Sequence, residues 1–481
     1  MFAAAFVLRL LPVFALPSIH YPDEIFQTLE PAHRLAFGTG LQPWEWVYGT
    51  RSWLLPGALA GLMDASKLFG GGPGVYLPLI GAALAALGAA SALCAFGWGN
   101  RIYGLWGGIL AGALVAGWID AVYFGPRTLS EVVAAHVLVI GLYLMCPGDV
   151  PAGPRRLAVA GFLLALAALL RIQLAPAVAF LALWKWPDTA PLERRFLPLA
   201  LGACAALALY GGIDWATWGY PFESLWRNVL LNLFYGVSKN WGSQPVTWYA
   251  GTLFAYWGGL AVLLLVLARI GALDLPQPAL GALVIFVIHT AIGHKEWRFI
   301  YPAVLLAVIS AGLGLARVAE WLADGLTLRG VPRGDALRAA AVPILALAVL
   351  SPAGLAATAE YRALWTRDAG VVRASSAVAG LQGVCGIALY GIDWWNSGGY
   401  ALMHQNVPLY WFDNAAGLAG QGDAFNVVLS AAPLPDSLPY RTTTCFHGVC
   451  VAQRAGGCSA LPMTPLEIPP GLEGVTPAVK R

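Results

Sequence analysis

Long apolar runs dominate the chain up to about residue 358. A helix needs roughly 20 mostly apolar residues to cross the hydrocarbon core of a bilayer, so such runs predict membrane spans. We predict about eleven spans, at 2–19, 75–97, 104–121, 128–146, 157–170, 175–184, 196–213, 248–268, 278–293, 300–316 and 340–358. The run at 53–69 contains Pro56, Asp64 and Lys67, which favours a helix at the membrane interface over a twelfth span.

The distribution of Lys and Arg in the loops between these spans predicts their orientation, because cytoplasmic loops are enriched in basic residues. With the amino terminus inside, the inner loops are 98–103, 147–156, 185–195, 269–277 and 317–339. The outer loops are then 20–74, 122–127, 171–174, 214–247 and 294–299. The inner loops hold eleven basic residues in 59, whereas the outer loops hold nine in 105. This contrast supports the orientation and places the two long loops, 20–74 and 214–247, outside.

The segment after the last span differs from the rest of the chain. Its apolar stretches 384–391 and 425–432 are bounded by Gly and Pro or polar residues, as buried strands are, and they predict a small α/β domain. We therefore divide the chain into a transmembrane domain, 1–358, and an extracytoplasmic domain, 359–481. Outside the cytoplasm, Cys385, Cys445, Cys450 and Cys458 can form two disulfides, in any of three pairings.

Composition excludes a soluble protein. Only 11% of the 481 residues are charged and the mean hydropathy is +0.68, whereas soluble domains carry about a quarter charged residues. The net charge of +3 is too small and too dispersed to indicate nucleic-acid binding. The partner implied by composition is therefore the lipid bilayer, and the protein is expected to be integral to the membrane.

Acidic side chains concentrate in the first outer loop. The acidic segment, HYPDEIFQTLEPAH at 20–33, is followed by PWEWVYGTRS at 43–52. A carboxylate that is partly desolvated at the membrane surface binds protons more tightly and becomes a better base. Such a base can accept the proton of a sugar hydroxyl as it attacks an anomeric carbon. The alternative is a solvated loop anchored by Trp44 and Trp46, which residue types alone favour because aromatic belts are common.

A second polar cluster is the basic segment, HKEWRFIYP at 294–302, at the outer end of a predicted span. Lys295 and Arg298 are three residues apart and would share a helical face. They favour a phosphate partner, which Arg can bind with two hydrogen bonds. Local pairing with Glu296 is an equal alternative. His20 and Asp23 could begin a metal site, but no third ligand follows at a recognised spacing.

Taken together, these segments resemble the lipid-phosphate-mannose-dependent α-mannosyltransferases, which include enzymes of GPI-anchor and dolichol-linked-glycan synthesis. Residues 21–52 are similar to the first-loop signature of that family, and HKEWRF at 294–299 to its second signature. Weaker similarities follow in the expected order: RTLS at 127–130, DWATWGY at 214–220, Asn232 with Tyr235 and Gly236, and PVTWY at 245–249. The resemblance covers roughly residues 1–320.

The resemblance implies a GT-C glycosyltransferase fold and an inverting, metal-independent transfer from a polyprenyl-phosphate sugar, usually mannose, to a glycan or glycolipid. Asp23 would be the catalytic base and Glu24 would orient acceptor or sugar. His294, Lys295 and Arg298 would hold the leaving phosphate. The remaining substrate-binding candidates are Glu30, His33, Trp44, Glu45, Arg51, Arg127, Asp214 and Tyr249.

Short inner loops and spans rich in Ala and Gly indicate a bacterial member of this group, in which the sugar need not be mannose. The active site would then face the periplasm, or the lumen of the endoplasmic reticulum in a eukaryote. A transporter or flippase is the rival class, but it should carry its ionisable residues near the membrane midplane and in repeated halves. A protein O-glycosyltransferase of the same broad fold is the other alternative.

Overall fold

The computed structural model describes residues 1–146, 152–184, 192–459, 461–463 and 465–478. The predicted inner loops 147–156 and 185–195 lie partly outside these ranges. Lys185 and the side chain of Arg194, which count among the basic residues of the inner loops, are not among the described parts of the chain. The α-helices are α1 Phe2–Ala15, α2 Glu30–Phe37, α3 Trp44–Val47, α4 Leu54–Ser66, α5 Pro73–Gly117, α6 Ile119–Phe124, α7 Ser130–Met145, α8 Pro154–Leu170, α9 Ala175–Leu183, α10 Leu192–Trp218, α11 Glu223–Val229, α12 Trp248–Trp257, α13 Gly259–Gly271, α14 Pro276–Ala291, α15 Tyr301–Thr327, α16 Arg333–Ala356, α17 Ala359–Thr366, α18 Ala369–Val378, α19 Gly399–Met403 and α20 Ala415–Gly420.

Each predicted span overlaps one helix, except that 104–121 runs across α5 and α6 and 248–268 runs across α12 and α13. The spans 75–97 and 104–121 fall within α5 and α6, and α5 bends at Gly104, whose φ of +69° interrupts the helix. Within the described ranges, α5, α10, α15 with the turn before it, and α16 are long and apolar enough to cross a membrane. The pair α12 and α13, bent by 107°, could form a fifth crossing. The total of about eleven spans stays a prediction.

One compact unit comprises Met1–Leu11 and Ala82–Arg362. Its helices approach closely where glycines face a neighbour, as small residues allow between membrane helices. A Cβ atom on Gly161 of α8 would overlap the carbonyl oxygen of Leu199 in α10, and one on Gly202 would overlap that of Ala158. Most of α15 is buried on all sides, so the basic segment that precedes α15 is attached to a central helix.

The second compact unit comprises Pro12–Gly81 and Ala363–Val479. It contains a five-stranded sheet in the order β2-β1-β3-β5-β4. The strands are β1 Ile387–Tyr390, β2 Leu409–Phe412, β3 Val427–Ser430, β4 Arg441–Phe446 and β5 Val449–Gln453. β1 pairs in parallel with β2 and β3, while β5 pairs antiparallel with β3 and β4. The two predicted strands are confirmed as β1 and β3, at the centre of the sheet.

Disulfides close this unit in two places. Cys385, just before β1, is bonded to Cys458, which follows β5 by five residues. Cys445 and Cys450 are bonded to each other across the hairpin of β4 and β5, next to its turn. The prediction of two disulfides is thereby confirmed, and of the three possible pairings the structure contains this one.

Candidate functional site

The acidic pair stands at the start of an unusual helix. Asp23 directly precedes a π-helix, Glu24–Leu29, which continues into α2. Glu24 is buried, and its Oε1 accepts hydrogen bonds from the backbone N–H groups of His20 (2.9 Å) and Tyr21 (3.2 Å). Short π-helical turns are frequent at functional sites because they re-aim side chains. Glu24 therefore fixes the turn that presents Asp23, which is partly exposed.

Glu45 extends the acidic cluster within the same unit. Gln27 donates a hydrogen bond of 3.0 Å to its Oε1, and the Nη2 atom of Arg51 lies 3.8 Å from the same oxygen. Burial raises the pKa of Glu45; the Arg51 charge opposes this rise, and the negative charge of Asp23 adds to it. Asp23 and Glu45 are thus close enough to interact electrostatically, and Arg51 offsets part of their combined charge.

The tryptophans of the first loop are buried within this unit. Trp46 is 1% exposed and donates a hydrogen bond of 3.0 Å from Nε1 to the carbonyl oxygen of Phe26, in the π-helix. Its ring also packs against Trp53, with centroids 4.6 Å apart. Trp44, at the start of α3, is buried as well. These contacts disagree with a solvated loop and indicate that the tryptophans hold the acidic segment in shape.

Glu30 and His33 bind the carboxyl-terminal part of the same unit. The fully buried Glu30 carboxylate accepts hydrogen bonds from the N–H groups of Leu41 (2.8 Å), Tyr400 (3.0 Å) and Ala401 (2.9 Å). Burial raises the pKa of Glu30 to about 7, although those three donors oppose the rise. The Nε2 atom of His33 lies 2.9 Å from the Nδ1 atom of His404. Through these contacts Glu30 and His33 attach α2 to the carboxyl-terminal part of the unit; substrate binding by either residue stays a prediction.

The basic segment belongs to the unit that contains Ala82–Arg362, and carboxylates of that same unit hold it in place. Arg298 is 4% exposed; its Nε lies 2.6 Å from Glu296 and its Nη1 3.0 Å from Glu131. Arg171 lies 3.7 Å from the second oxygen of Glu131, so two guanidinium groups balance two carboxylates. Burial alone would raise the pKa of Glu296, but Arg298 and His294 outweigh it and lower that pKa to about 2.

Lys295 and His294 add positive charge beyond this balanced network. Lys295 is buried and donates to the backbone carbonyl oxygens of Gln244 (3.2 Å) and Ile292. The Nε2 atom of His294 lies 3.0 Å from Oε1 of Glu296. Burial by itself would lower the pKa of His294, but the hydrogen bond and the negative charge of Glu296 have the larger combined effect and raise that pKa. Local pairing, one of the two predicted interpretations, engages Arg298 and His294; a phosphate partner for this segment stays a prediction.

A buried carboxylate that sequence reasoning did not single out supports the basic segment. Asp120 accepts hydrogen bonds from the indole N–H groups of Trp118 (3.0 Å), Trp257 (3.1 Å) and Trp297 (3.1 Å), and from the hydroxyl of Tyr361 (3.0 Å). Trp297 belongs to the basic segment, so Asp120 fixes its position. An acidic residue within an apolar run is itself a signal of function, and Asp120 meets that criterion.

Three further candidates belong to this unit, and one of them, Tyr249, interacts electrostatically with Glu296, Arg171 and Arg298 of the basic network. Asp214 is fully buried and accepts hydrogen bonds from the N–H (3.0 Å) and hydroxyl (2.6 Å) of Ser224, which positions α11. The guanidinium of Arg127 lies over the ring of Tyr123, 4.1 Å from its centroid. Tyr249 is buried and its ring neighbours Phe286 at 6.2 Å. Over the described ranges, no three His, Cys, Asp or Glu side chains form a group suited to a metal ion.

The amino-acid sequence matches the Alg9-like mannosyltransferase family over residues 1–365, a range that includes the acidic and basic segments. GPI mannosyltransferase 3 of Drosophila melanogaster is 28% identical over 324 residues, 64% of this chain and 54% of that protein. The Yarrowia lipolytica protein of the same name is 28% identical over 327 residues, 64% of this chain and 61% of the other. GPI alpha-1,2-mannosyltransferase 3 of Mus musculus is 27% identical over 335 residues, 65% and 58% respectively. The match therefore spans little more than half the length of these relatives.

Two solved structures share the fold. Both are crystal structures of ArnT from Cupriavidus metallidurans, one bound to undecaprenyl phosphate and one in the apo state. Each superposes with a TM-score of 0.62, at 14% and 15% sequence identity. The match covers 96% of this chain and 98% of the bound ArnT, and 94% and 96% in the apo comparison. This likeness confirms the GT-C fold predicted from the sequence.

Proposed function

This chain belongs to the Alg9-like mannosyltransferase family, and we propose on that premise that it transfers mannose from a polyprenyl phosphate to a hydroxyl of a glycan or glycolipid. The family resemblance predicted from the two signatures is thereby confirmed. The observation that carries the proposal is the family match over residues 1–365, which includes both the acidic and the basic segment. The transfer inverts the anomeric carbon and requires no metal ion.

In the proposed reaction, Asp23 accepts the proton of the acceptor hydroxyl as its oxygen attacks the anomeric carbon. The bond from that carbon to the phosphate oxygen breaks, and its electron pair leaves with the polyprenyl phosphate. Attack from the face opposite the leaving group inverts the configuration. The support for this role is that Asp23 is partly exposed at the first turn of the π-helix, while Glu24 is held by backbone N–H groups. Glu24 thus acts by orienting Asp23 and the bound sugar.

The basic segment provides the charge that the departing phosphate requires. The phosphate gains negative charge in the transition state, and preorganised cations there lower the barrier. Lys295 supplies charge beyond the balanced network, Arg298 is held rigid by two carboxylates, and His294 adds a further proton-dependent charge. Their role in donor binding rests on this electrostatic argument and on the family signature.

We place the reaction at the extracytoplasmic membrane face, which is periplasmic in a bacterium and lumenal in the endoplasmic reticulum. The lower density of basic residues in the loops 20–74 and 294–299 supports this side. Two disulfides in the segment from Cys385 to Cys458 support it as well, because such bonds persist in oxidising compartments.

Asp23→Asn tests the catalytic proposal. The amide cannot accept the proton, so mannose transfer in membranes supplied with radiolabelled polyprenyl-phosphate-mannose should fall by about 10²–10⁴-fold. Donor binding, measured by titration in detergent, should stay within about twofold, or about 0.4 kcal/mol of binding free energy. The matched control is Asp64→Asn in the same loop. Asp64 is exposed and paired with Lys67 at 2.6 Å, and exposed pairs contribute little. Wild-type product formation by Asp23→Asn would refute the role of Asp23.

A further inference from the structure

The loop 391–398 follows β1, at the carboxyl end of the three parallel strands β2, β1 and β3. After β1 the chain moves to β2 on one side, and it later returns to β3 on the other. In open sheets of this kind, ligands bind in the crevice at the carboxyl ends of strands where the strand order reverses. The loop therefore occupies the position in this sheet that general topology assigns to a ligand.

The residues of this loop present aromatic and polar groups together. Trp394–Asn396 form a 3₁₀ turn, which fixes the directions of their side chains. Trp395 is 45% exposed, and Asp393, two residues before it, is exposed too. The ring of Trp394 lies 6.4 Å from that of Trp411 in β2. The loop thus carries an exposed indole and an exposed carboxylate two residues apart, and Trp394 between them is placed by its ring contact with Trp411.

The same loop is fixed to the acidic segment, which belongs to the same compact unit. Phe26, three residues after Asp23, packs edge-on against Trp394 with ring centroids 5.2 Å apart. Glu30, seven residues after Asp23, accepts hydrogen bonds from the N–H groups of Tyr400 and Ala401, two and three residues after the loop. The helix that begins at Asp23 therefore contacts the turn itself and the chain just beyond it. A ligand on this turn would be held in a defined position relative to Asp23.

We infer that the loop 391–398 is the subsite that binds a sugar ring of the acceptor, an inference that rests on the proposed function. The C–H face of a pyranose packs on an exposed indole, and its hydroxyls hydrogen-bond to the carboxylate of Asp393 and the amide of Asn396. The sequence GIDWWNSG contains no Lys or Arg and one acidic residue, which disfavours the anionic phosphate of the donor. The occupant is therefore a neutral, hydroxyl-rich ring of the acceptor glycan.

Binding without transfer tests this subsite. The full-length protein in detergent is titrated with octyl α-mannobioside, a dimannoside on a short alkyl chain, in the absence of donor. Trp395→Ala should weaken its binding at least about tenfold, Trp395→Phe should restore it to within about threefold, and Asp393→Asn should give an intermediate loss. Trp321→Ala is the matched control. The Trp321 side chain is 48% exposed and lies in the predicted inner loop 317–339. The Trp321→Ala protein should therefore bind the dimannoside as tightly as the wild type does.

The outcomes separate the subsite from catalysis. Equal binding of the dimannoside by wild type and Trp395→Ala, or no binding by the wild type, overturns the subsite even where mannose transfer is observed. Weaker binding by Trp395→Ala together with unimpaired transfer by Asp23→Asn sinks the catalytic proposal and leaves the subsite standing. A thermal unfolding curve for each variant confirms that the folded protein is being compared, and the ring-preserving Trp395→Phe and the isosteric Asp393→Asn provide readings independent of Trp395→Ala.

Discussion

His294 controls how much positive charge the basic segment carries near neutral pH. Glu296 raises the pKa of His294 against the effect of burial, so its imidazolium persists to a higher pH than that of a free histidine. Lys295 donates to two backbone carbonyl oxygens, and Arg298 is balanced by the carboxylates. Protonation of His294 therefore adds a second surplus charge beside the proposed phosphate site.

Donor affinity should follow this titration. The protonated form attracts phosphate, so affinity should be highest below the pKa of His294 and decline as the pH rises through it. In His294→Gln, affinity should be lower at mildly acidic pH and nearly constant between about pH 6 and 8, where histidine is the side chain that ordinarily titrates. The measurement is the Kd for polyprenyl-phosphate-mannose at several pH values.

The matched control is His447→Asn. His447 is exposed in the turn between β4 and β5, with a φ of +44° that Asn tolerates, so this variant should keep the wild-type dependence of Kd on pH. An unchanged slope in His294→Gln would exclude His294 from donor binding.

At this scale the sequence indicates residue types but not their partners. Lys295 and Arg298 stand out because they lie close together in a loop that is otherwise poor in basic residues. The pairing of Arg298 with Glu131 spans more than 160 positions and leaves no local pattern. Asp120 could have been suspected from its place in an apolar run, yet the donors that converge on it come from four separate stretches of chain.

Among the elements, α19 depends on a single glycine. Gly399 has a φ of +56°, and a Cβ atom there would lie 2.5 Å from Oε2 of Glu30. The absence of a side chain lets the Glu30 carboxylate reach the first N–H groups of α19. The attachment of the loop 391–398 to the acidic segment therefore requires glycine at this position.

Gly399→Ala should destabilise the protein. A left-handed backbone costs an L-residue about 1–2 kcal/mol, and the overlap with Glu30 adds to this because the carboxylate would have to leave its three donors. Thermal unfolding in detergent, followed by tryptophan fluorescence, should show a lower Tm. Gly61→Ala is the matched control in α4 of the same unit. Its Cβ would meet nothing within 4 Å, so it should stabilise the helix by about 0.5–1 kcal/mol. If both variants unfold alike, the close packing of Glu30 on Gly399 does not contribute.

The elements themselves were largely accessible from the sequence. Runs of apolar residues lead to helices because backbone groups in lipid must be satisfied within the segment, and short apolar stretches between Gly and Pro led to β1 and β3. The strand order and the partners of β1 were not accessible, since register depends on contacts across the sheet. The same holds for the packing of Pro12–Gly81 with Ala363–Val479 as one unit, which the pattern of spans did not indicate.

For the molecule as a whole, the side of the membrane that each loop occupies decides whether the proposed chemistry is possible. The proposed transfer requires that the loop 20–74 and the loop 294–299 each lie outside the cytoplasm. The distribution of basic residues and the two disulfides independently favour the extracytoplasmic side for 20–74 and for the carboxyl-terminal segment. A direct test needs two equally accessible positions, one in a predicted outer loop and one in a predicted inner loop.

Leu68 and Leu328 provide that pair. Leu68, in the loop 20–74, is 82% exposed, and Leu328, in the loop 317–339, is 90% exposed, so a cysteine at either position is open to reagent. In a Cys204→Ala background, which removes the exposed free thiol, Leu68→Cys should react with a membrane-impermeant maleimide added from the extracytoplasmic side. Leu328→Cys should react only after permeabilisation, because the reagent cannot cross the bilayer. The reverse pattern would place Asp23 in the cytoplasm and remove the basis for the proposed transfer. The buried thiols of Cys94 and Cys146 should stay unlabelled in both variants.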